Sequence, residues 1–541
     1  MIENPLTDAR IARDGHAWTN KTIAQGAWEK AVATPDEIAI YLEGEAAITY
    51  GSVADEARRL AAGLRQLGLK KGDVISFQLP NWRESVVVDI AASALGLIVN
   101  PVIPIYRDRE LRFILKDAGT RLIYIPERVR SLEFPGMIEG LRSELPELEF
   151  VVTVRAEQDY ANTLRYEDLV EQDPVALDSL PSVDPNAIKA ILYTSGTTGT
   201  PKAVLHSHNT LSRVIQNSLD YWGMDQRDVM LMPSPVTHIT GYGSGMVLPF
   251  VTSVKSALMP RWDADAAVSY IQEVGATASV GATPFLVELV AAAKRHNTGL
   301  PSMRFFACGG AAVPPQVIED AWETLDQCRA FRVYGSTEAP IITAGFVGAD
   351  QAALAAETDG MIYGYEVKIL DETGQELPVG VDGEIAARGA SMMLGYGDPA
   401  QNAAAHDAEG FFLTGDIGQR TIDNAILITD RKKDIIIRGG ENISAKEVED
   451  VLHDHPAVHE CAVVGMPHER LGEGVCAFLI PAEGATPTLE DIASFADKAL
   501  LARQKIPQHI ELVADLPRTA SGKVRKDVLR KTINEALAPA N

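Results

Sequence analysis

Cysteine is scarce in this chain. Cys308, Cys328, Cys461 and Cys476 are the only four in 541 residues, widely separated and without CxxC or Cys/His spacing. That excludes a disulfide framework and a zinc-cysteine site, and a reducing compartment is expected. Basic charge is also in deficit, 49 Lys and Arg against 74 Asp and Glu, a formal net charge of −25. A protein whose main partner is a nucleic acid or an anionic membrane needs a basic face to displace counterions, so neither partner is expected, although a local basic pocket remains open. Long apolar runs are missing too. The most apolar stretch, Ser85 to Tyr106, is broken by Asp89, Asn100, Pro101 and Pro104, which suits a buried helix and strand better than a bilayer span. The start, MIENPLTDAR, has no basic segment followed by an apolar one, so a cytoplasmic protein without integral membrane association is expected. No repeat of 20 to 50 residues recurs, which removes solenoids and propellers.

What the chain does have is material for several cores: 46% hydrophobic and 23% charged residues over a length suited to three or four folding units. Ser52 to Leu67 places Val53, Ala57, Leu60, Ala61, Leu64 and Leu67 on one helical face, with Ser52 and Asp55 as a capping-box-like start. A strand from Asp73 follows. Apolar strand candidates continue at Ala190–Tyr193, Val229–Met232, Ser279–Val280 and Phe331–Tyr334, separated by amphipathic stretches such as Ala264 to Val274. This alternation predicts layered α/β sheets. After about Gly360 the texture changes to short β runs at Tyr365, Gly383 and Ala425, a small β-rich subdomain over about 345–431. Beyond the charged stretch Asp430–Asp434 the chain restarts: a hairpin-like strand, a helix opened by Ser444 with Glu447 three residues on, a strand from Ala462, a helix near Leu489 to Leu501 and a strand from His509. The expected division is a body over 1–431 and a compact α+β domain over 432–541.

Directly after the strand AILY comes Thr194-Ser195-Gly196-Thr197-Thr198-Gly199-Thr200-Pro201-Lys202. Crowded hydroxyls, small residues and one lysine suit either a solvent-exposed linker or a cradle of backbone N–H groups around a polyphosphate. The Walker A pattern, GxxxxGK[ST], is not met, because Ala203 follows Lys202. In Tyr334-Gly335-Ser336-Thr337-Glu338 a strand ends in a glycine turn that presents Thr337 and Glu338 at the carboxyl edge of a sheet, where α/β proteins bind ligands. Gly309, Gly310 and Ala311 follow the apolar strand FFA; such side-chain-free backbone either makes a tight turn or lets a flat ring approach. Asp416, in LTGDIG, is either a turn residue or an ionised acceptor for two neighbouring hydroxyls, where charge-assisted bonds contribute about 1.5–3 kcal/mol each.

With PVTHITG from Pro235, GEIAARG from Gly383, DRKKDIIIRGGENIS from Asp430 and PRTASGKVRK from Pro517, these motifs occur together in an order that resembles the adenylate-forming superfamily of acyl- and aryl-CoA synthetases, from about Ile48 to the end. The resemblance implies a large N-terminal α/β body with a β-rich subdomain and a small mobile C-terminal lid. It implies ATP, Mg²⁺ and CoA as ligands. The Thr194–Lys202 loop would then hold the phosphates, Thr337 the α-phosphate and Glu338 the Mg²⁺. Gly309, Gly310, Ala311 and Tyr334 would flank adenine, and Asp416 with Arg431 would hold the ribose. Lys523 is implied as the ammonium that spans carboxylate and α-phosphate, where it would stabilise the negative charge accumulating in the transition state. Lys433 matches a hinge that swings the lid, bringing Gly439, Gly440 and Glu441 toward the thiol channel for the second half-reaction. His238 resembles a movable residue at the acyl pocket, with a core or surface histidine as the other reading. No acid stands near Pro235-Val236-Thr237 to hold a substrate amine, so a simple carboxylic acid is expected. LPNW from Leu79 and NPVIPIYRDREL from Asn100 are similar to stretches of cyclohexanecarboxylate-CoA ligases and medium-chain acyl-CoA synthetases. The implied reaction joins an alicyclic or medium-chain acid to CoA through an acyl adenylate. A stand-alone adenylation enzyme loading a carrier protein is the alternative, and an oligomer is compatible with either. One departure stands out: TDGMIYG before Tyr365 replaces the Gly-x-Pro-x-Pro-Gly of many relatives.

Overall fold

The computed structural model describes residues 2–194, 201–310, 313–438, 441–468, 471–499, 501–519 and 523–537. They form two compact units, Met1–Glu366 with Arg388–His406, and Val367–Ala387 with Asp407–Asn541.

The first unit is built on two sheets. The seven-stranded sheet runs Arg329–Val333, Phe305–Gly309, Ala278–Gly281, Val229–Met232, Lys255–Leu258, Ile38–Leu42 and Ile48–Thr49, parallel except for the last strand. Its inner strands are short unbroken apolar runs such as VMLM because parallel sheets are covered on both faces. The eight-stranded sheet runs Gly395–Tyr396, Lys202–Ser207, Ile188–Thr194, Ile98–Pro101, Val74–Phe77, Thr120–Pro126, Phe150–Val154 and Leu164–Arg165. Ile188–Thr194 and Lys202–Ser207 form an antiparallel hairpin on an otherwise parallel centre. The expected helix Ala264–Val274 and strand Val229–Met232 have those limits. The apolar stretch from Ser85 folds as helix Arg83–Leu95, buried from Ser85 to Leu95, and strand Ile98–Pro101.

One expected boundary shifts. The helix read as starting at Ser52 begins at Tyr50, with Thr49 as its N-cap and Ser52 closing the capping box from the third position. The extra turn forms because the Tyr50 ring is buried against Phe250 and its hydroxyl donates to the Pro249 carbonyl at 3.1 Å.

The second unit holds a four-stranded sheet, in the order Glu366–Leu370, Gly383–Arg388, Phe412–Arg420, Ile426–Arg431, and a five-stranded sheet. The latter is centred on the long hairpin Val458–His468 and Gly472–Pro481, with Ile436–Arg438, Glu441–Ile443 and the parallel strand His509–Leu512. Helices cover both of its faces. Val448 and Leu452 of helix Ala445–His453 and Ile492 of Leu489–Lys498 pack on Val463 and Val475, while Leu529 and Ile533 of Lys526–Leu537 pack on Val464 and Phe478. Ser444 caps the first of these helices by accepting from the Glu447 N–H at 3.1 Å.

Candidate active site

In the first unit, neighbouring parallel strands bring Gly309 and Val333 into register, so Gly309, Gly310 and Tyr334 emerge together at the carboxyl edge of the seven-stranded sheet. A Cβ on Gly309 would lie 2.2 Å from the Val333 carbonyl oxygen, and Gly310 has φ +84°. Only glycine fits this close approach and left-handed backbone. Tyr334 is latched at both backbone ends. Its N–H donates to Thr343 Oγ1 at 2.8 Å, and its carbonyl accepts from the Thr343 N–H at 3.1 Å. The departure TDGMIYG supports this latch. Thr343 Oγ1 donates to the Asp359 carbonyl, and the Asp359 carboxylate pairs with the buried Arg332 guanidinium at 2.6 Å. Gly335 then turns the chain so tightly that a Cβ would meet the Ile341 nitrogen at 2.4 Å.

That turn presents Thr337 and Glu338, both half-buried. The Thr337 carbonyl accepts from Nε2–H of the buried His206 at 2.8 Å. Burial pushes the His206 imidazole down to about 4, so it stays neutral and keeps a single proton for that bond. Glu338 Oε1 accepts from the Tyr396 hydroxyl at 2.8 Å. Lys202 Nζ stands 4.8 Å from the centroid of the same Tyr396 ring. Lys202 pairs with Thr194 across the hairpin, so both ends of the phosphate-type loop are anchored. The Glu338 carboxylate is a hard oxygen donor held in place by Tyr396. Such a donor fits Mg²⁺, which retains waters and takes substrate phosphate oxygens for its other ligands.

The LPNW and PVTHITG segments are held equally firmly. Asn81, of LPNW, is buried and stitches two loops: its Nδ2 donates to the Ser234 and Met259 carbonyls at 3.0 and 2.9 Å, and its Oδ1 accepts from the Val236 N–H at 2.7 Å. This fixes the approach to half-buried His238, which caps a short helical turn running into a π-helical turn at Tyr242–Val247. The Tyr242 hydroxyl donates to Asp89 Oδ1 at 2.5 Å, and buried Lys189 pairs with that oxygen at 2.6 Å.

In the second unit, Asp416 and Arg431 face each other across antiparallel strands, with Arg431 Nε 2.8 Å from Asp416 Oδ1. Asp416 is buried and Arg431 exposed. Lys433 lies in a turn closed by Asp434 N–H to the Arg431 carbonyl at 2.8 Å, and Arg530 ties the Lys433 carbonyl and Asp434 carboxylate to the last helix at 3.3 and 2.9 Å. Glu441 pairs with Arg438 in register. Lys523 sits on one arm of a small antiparallel turn, where the Thr519 N–H donates to its carbonyl at 2.7 Å and its own N–H donates to Thr519 Oγ1 at 3.1 Å.

Thr337, Glu338, Lys202 and Thr194 thus gather in the first unit, as do Gly309, Gly310 and Tyr334. Asp416 and Arg431 gather in the second. Ser195, Gly196, Thr197, Thr198, Gly199, Ala311, Gly439 and Gly440 lie outside the described residues. Tyr396 and His206 were not anticipated. A histidine inside the strand AVLHS was a usable signal for the second; nothing local marked the first.

Comparison with known proteins matches residues 27–397 to the AMP-binding enzyme family and 447–523 to the AMP-binding enzyme C-terminal domain. The chain is 34% identical to the medium-chain fatty-acid–CoA ligase of Escherichia coli (strain K12), covering 96% of this chain and 92% of that one. It is 30% identical to the indoleacetate–CoA ligase of Aromatoleum aromaticum, covering 90% and 93%. Among solved structures, ATP-bound MatB from Rhodopseudomonas palustris superposes with a TM-score of 0.84 at 27% identity, covering 96% of this chain and 100% of MatB.

Proposed function

Since this chain belongs to the AMP-binding enzyme family, within the adenylate-forming superfamily, we propose that it is an acid–CoA ligase acting on medium-chain or alicyclic monocarboxylic acids. ATP and the acid give an acyl adenylate and pyrophosphate; the CoA thiol then takes the acyl group and releases AMP. The observation that carries this reading is the convergence on one tyrosine of Lys202, the last residue of the phosphate-type loop, and Glu338, of the Thr337 turn, which holds an ammonium and a carboxylate against the same side chain. Mg²⁺, held by Glu338, would offset charge on the departing pyrophosphate. Thr337 and Lys202 orient the phosphates, Tyr334 with Gly309 and Gly310 receives the adenine, and Asp416 with Arg431 receives the ribose. Lys523 stabilises the charge that builds as carboxylate attacks the α-phosphorus. Because the carboxylate is already a nucleophile, no general base is required. Lys433 is the pivot at which residues 432–541 reorient for thioester formation, and we infer a cytoplasmic reaction.

The absence of an acid near Val236–His238 and the similarity to a medium-chain fatty-acid–CoA ligase support an apolar substrate. A panel of acids supplied with ATP and CoA, scored by AMP and thioester, tests this. We expect kcat/KM to rise from acetate to octanoate or cyclohexanecarboxylate, with neighbouring sizes within about two orders of magnitude, because one methylene is worth only ~1–3 kcal/mol. A preference for acetate or for an α-amino acid would overturn the substrate assignment. AMP release without consumption of free CoA would favour carrier-protein loading instead.

A further inference from the structure

We propose that Tyr396 is a positioning residue with two separable tasks: its hydroxyl aims the Glu338 carboxylate for Mg²⁺, and its ring is the platform that aims Lys202 at the nucleotide phosphates. The proposal rests on the reading of Glu338 as the magnesium ligand. The geometry is compact. The phenol donates to Glu338 Oε1 at 2.8 Å, while the Lys202 ammonium sits 4.8 Å from the ring centroid. One side chain therefore touches both charged groups of the phosphate end, through different atoms.

Tyr396 is itself held rigidly enough to act as a reference. Its backbone pairs with Val204, two residues beyond Lys202, at the edge of the eight-stranded sheet. Asn402 clamps it from the other side: the Tyr396 N–H donates to Asn402 Oδ1 at 2.7 Å, and Asn402 Nδ2 donates to the Tyr396 carbonyl at 2.9 Å. The residue is only 4% exposed. A phenol hydroxyl facing a carboxylate oxygen can only donate, which fixes the direction of the bond. A carboxylate that must meet a metal demanding near-ideal octahedral geometry benefits from a fixed partner on its other oxygen, as metal ligands generally do. A flexible lysine gains from a face that narrows its rotamers before phosphate arrives.

The two tasks predict different losses. Tyr396→Phe keeps the ring and removes only the hydroxyl; Tyr396→Leu removes both. Equilibrium binding of ATP, without acid and so without turnover, is measured at a series of Mg²⁺ concentrations and without metal. Mn²⁺ is bound in parallel as a paramagnetic probe of the metal itself. For Y396F we expect the Mg²⁺ concentration at half-saturation and the Mn²⁺ dissociation constant to rise about tenfold, as for loss of other outer partners of metal ligands, with metal-free ATP affinity unchanged. For Y396L we expect the same metal loss and, in addition, metal-free ATP binding weakened about threefold, the size of an exposed cation–π contact. Equal metal titrations for Y396F and the parent would overturn the proposal, as would identical behaviour of the two variants. Glu338→Gln in the same titration separates the underlying reading. If E338Q raises the Mg²⁺ requirement and Y396F does not, the role of Tyr396 alone fails. If E338Q changes nothing, the metal assignment fails and the proposal fails with it.

Discussion

Lys189→Met should destabilise the first unit more than any exposed substitution could. The Lys189 ammonium lies 2.6 Å from Asp89 Oδ1, with the two side chains 0% and 1% exposed. Among the described residues, the Tyr242 hydroxyl at 2.5 Å is the other group on that oxygen, and Asp89 Oδ2 is buried with no hydrogen bond. Burial lowers the Lys189 pKa, opposed by the Asp89 charge, so the pair is a costly desolvated contact rather than a generous one. Removing one partner leaves the carboxylate uncompensated, a loss of about 3–5 kcal/mol out of the ~5–15 kcal/mol typical of a domain. At about 1–2 °C per kcal/mol for a unit of this size, Tm should fall by about 3–10 °C. Urea titration and thermal melts followed by circular dichroism measure it. The triple variant Asp89→Leu, Lys189→Met, Tyr242→Phe removes both charges and the hydroxyl that would lose its acceptor, and should recover most of that loss. A single variant costing under about 1 kcal/mol, within the range of an exposed pair, would refute the reasoning, as would a triple variant no better than the single one.

Lys523→Ala should cut adenylation from ATP and free acid by about 10²–10³-fold, as for one lost oxyanion donor, yet still form thioester from supplied acyl adenylate; equal loss in both assays would remove the division of labour. Lys433→Pro, which fixes φ near −65°, should spare adenylation and abolish thioester formation, read by separate pyrophosphate and thioester assays. Burial raises the Asp430 carboxyl from 3.8 to about 6 despite hydrogen bonds from the Arg431 and Ala445 N–H groups. The folded state therefore binds this proton more tightly than the unfolded chain. Its stabilising contribution is full below 3.8 and is lost as pH rises through about 6; Asp430→Asn should flatten that part of the Tm–pH curve for the second unit.

Much of this was legible in the sequence because the chemistry is local. The turn at Tyr334–Glu338 follows from one glycine after one strand, and Asp416 meets Arg431 because a short hairpin joins their strands. Strand and helix limits such as Val229–Met232 and Ala264–Val274 follow from continuous apolar runs and helical spacing. The missed contacts are long-range. Tyr396 reaches Glu338 across 58 residues, and His206 reaches Thr337 across 131. Asp89 reads as a break in an apolar stretch until the fold places Lys189, 100 residues away, against it. The helix at Tyr50 starts a turn early for the same reason: the burial of an aromatic ring by Phe250 is invisible to a local capping pattern.

In the proposed reaction the acid's own carboxylate oxygen attacks the α-phosphorus of ATP. Octanoate labelled with heavy oxygen in both carboxylate positions, incubated with the protein, ATP, Mg²⁺ and CoA, tests it most directly by mass spectrometry of the nucleotide products. Attack by the carboxylate gives octanoyl-CoA together with AMP carrying one heavy oxygen, and unlabelled pyrophosphate. Formation of ADP, label in inorganic phosphate, or thioester formed with unlabelled AMP would contradict it.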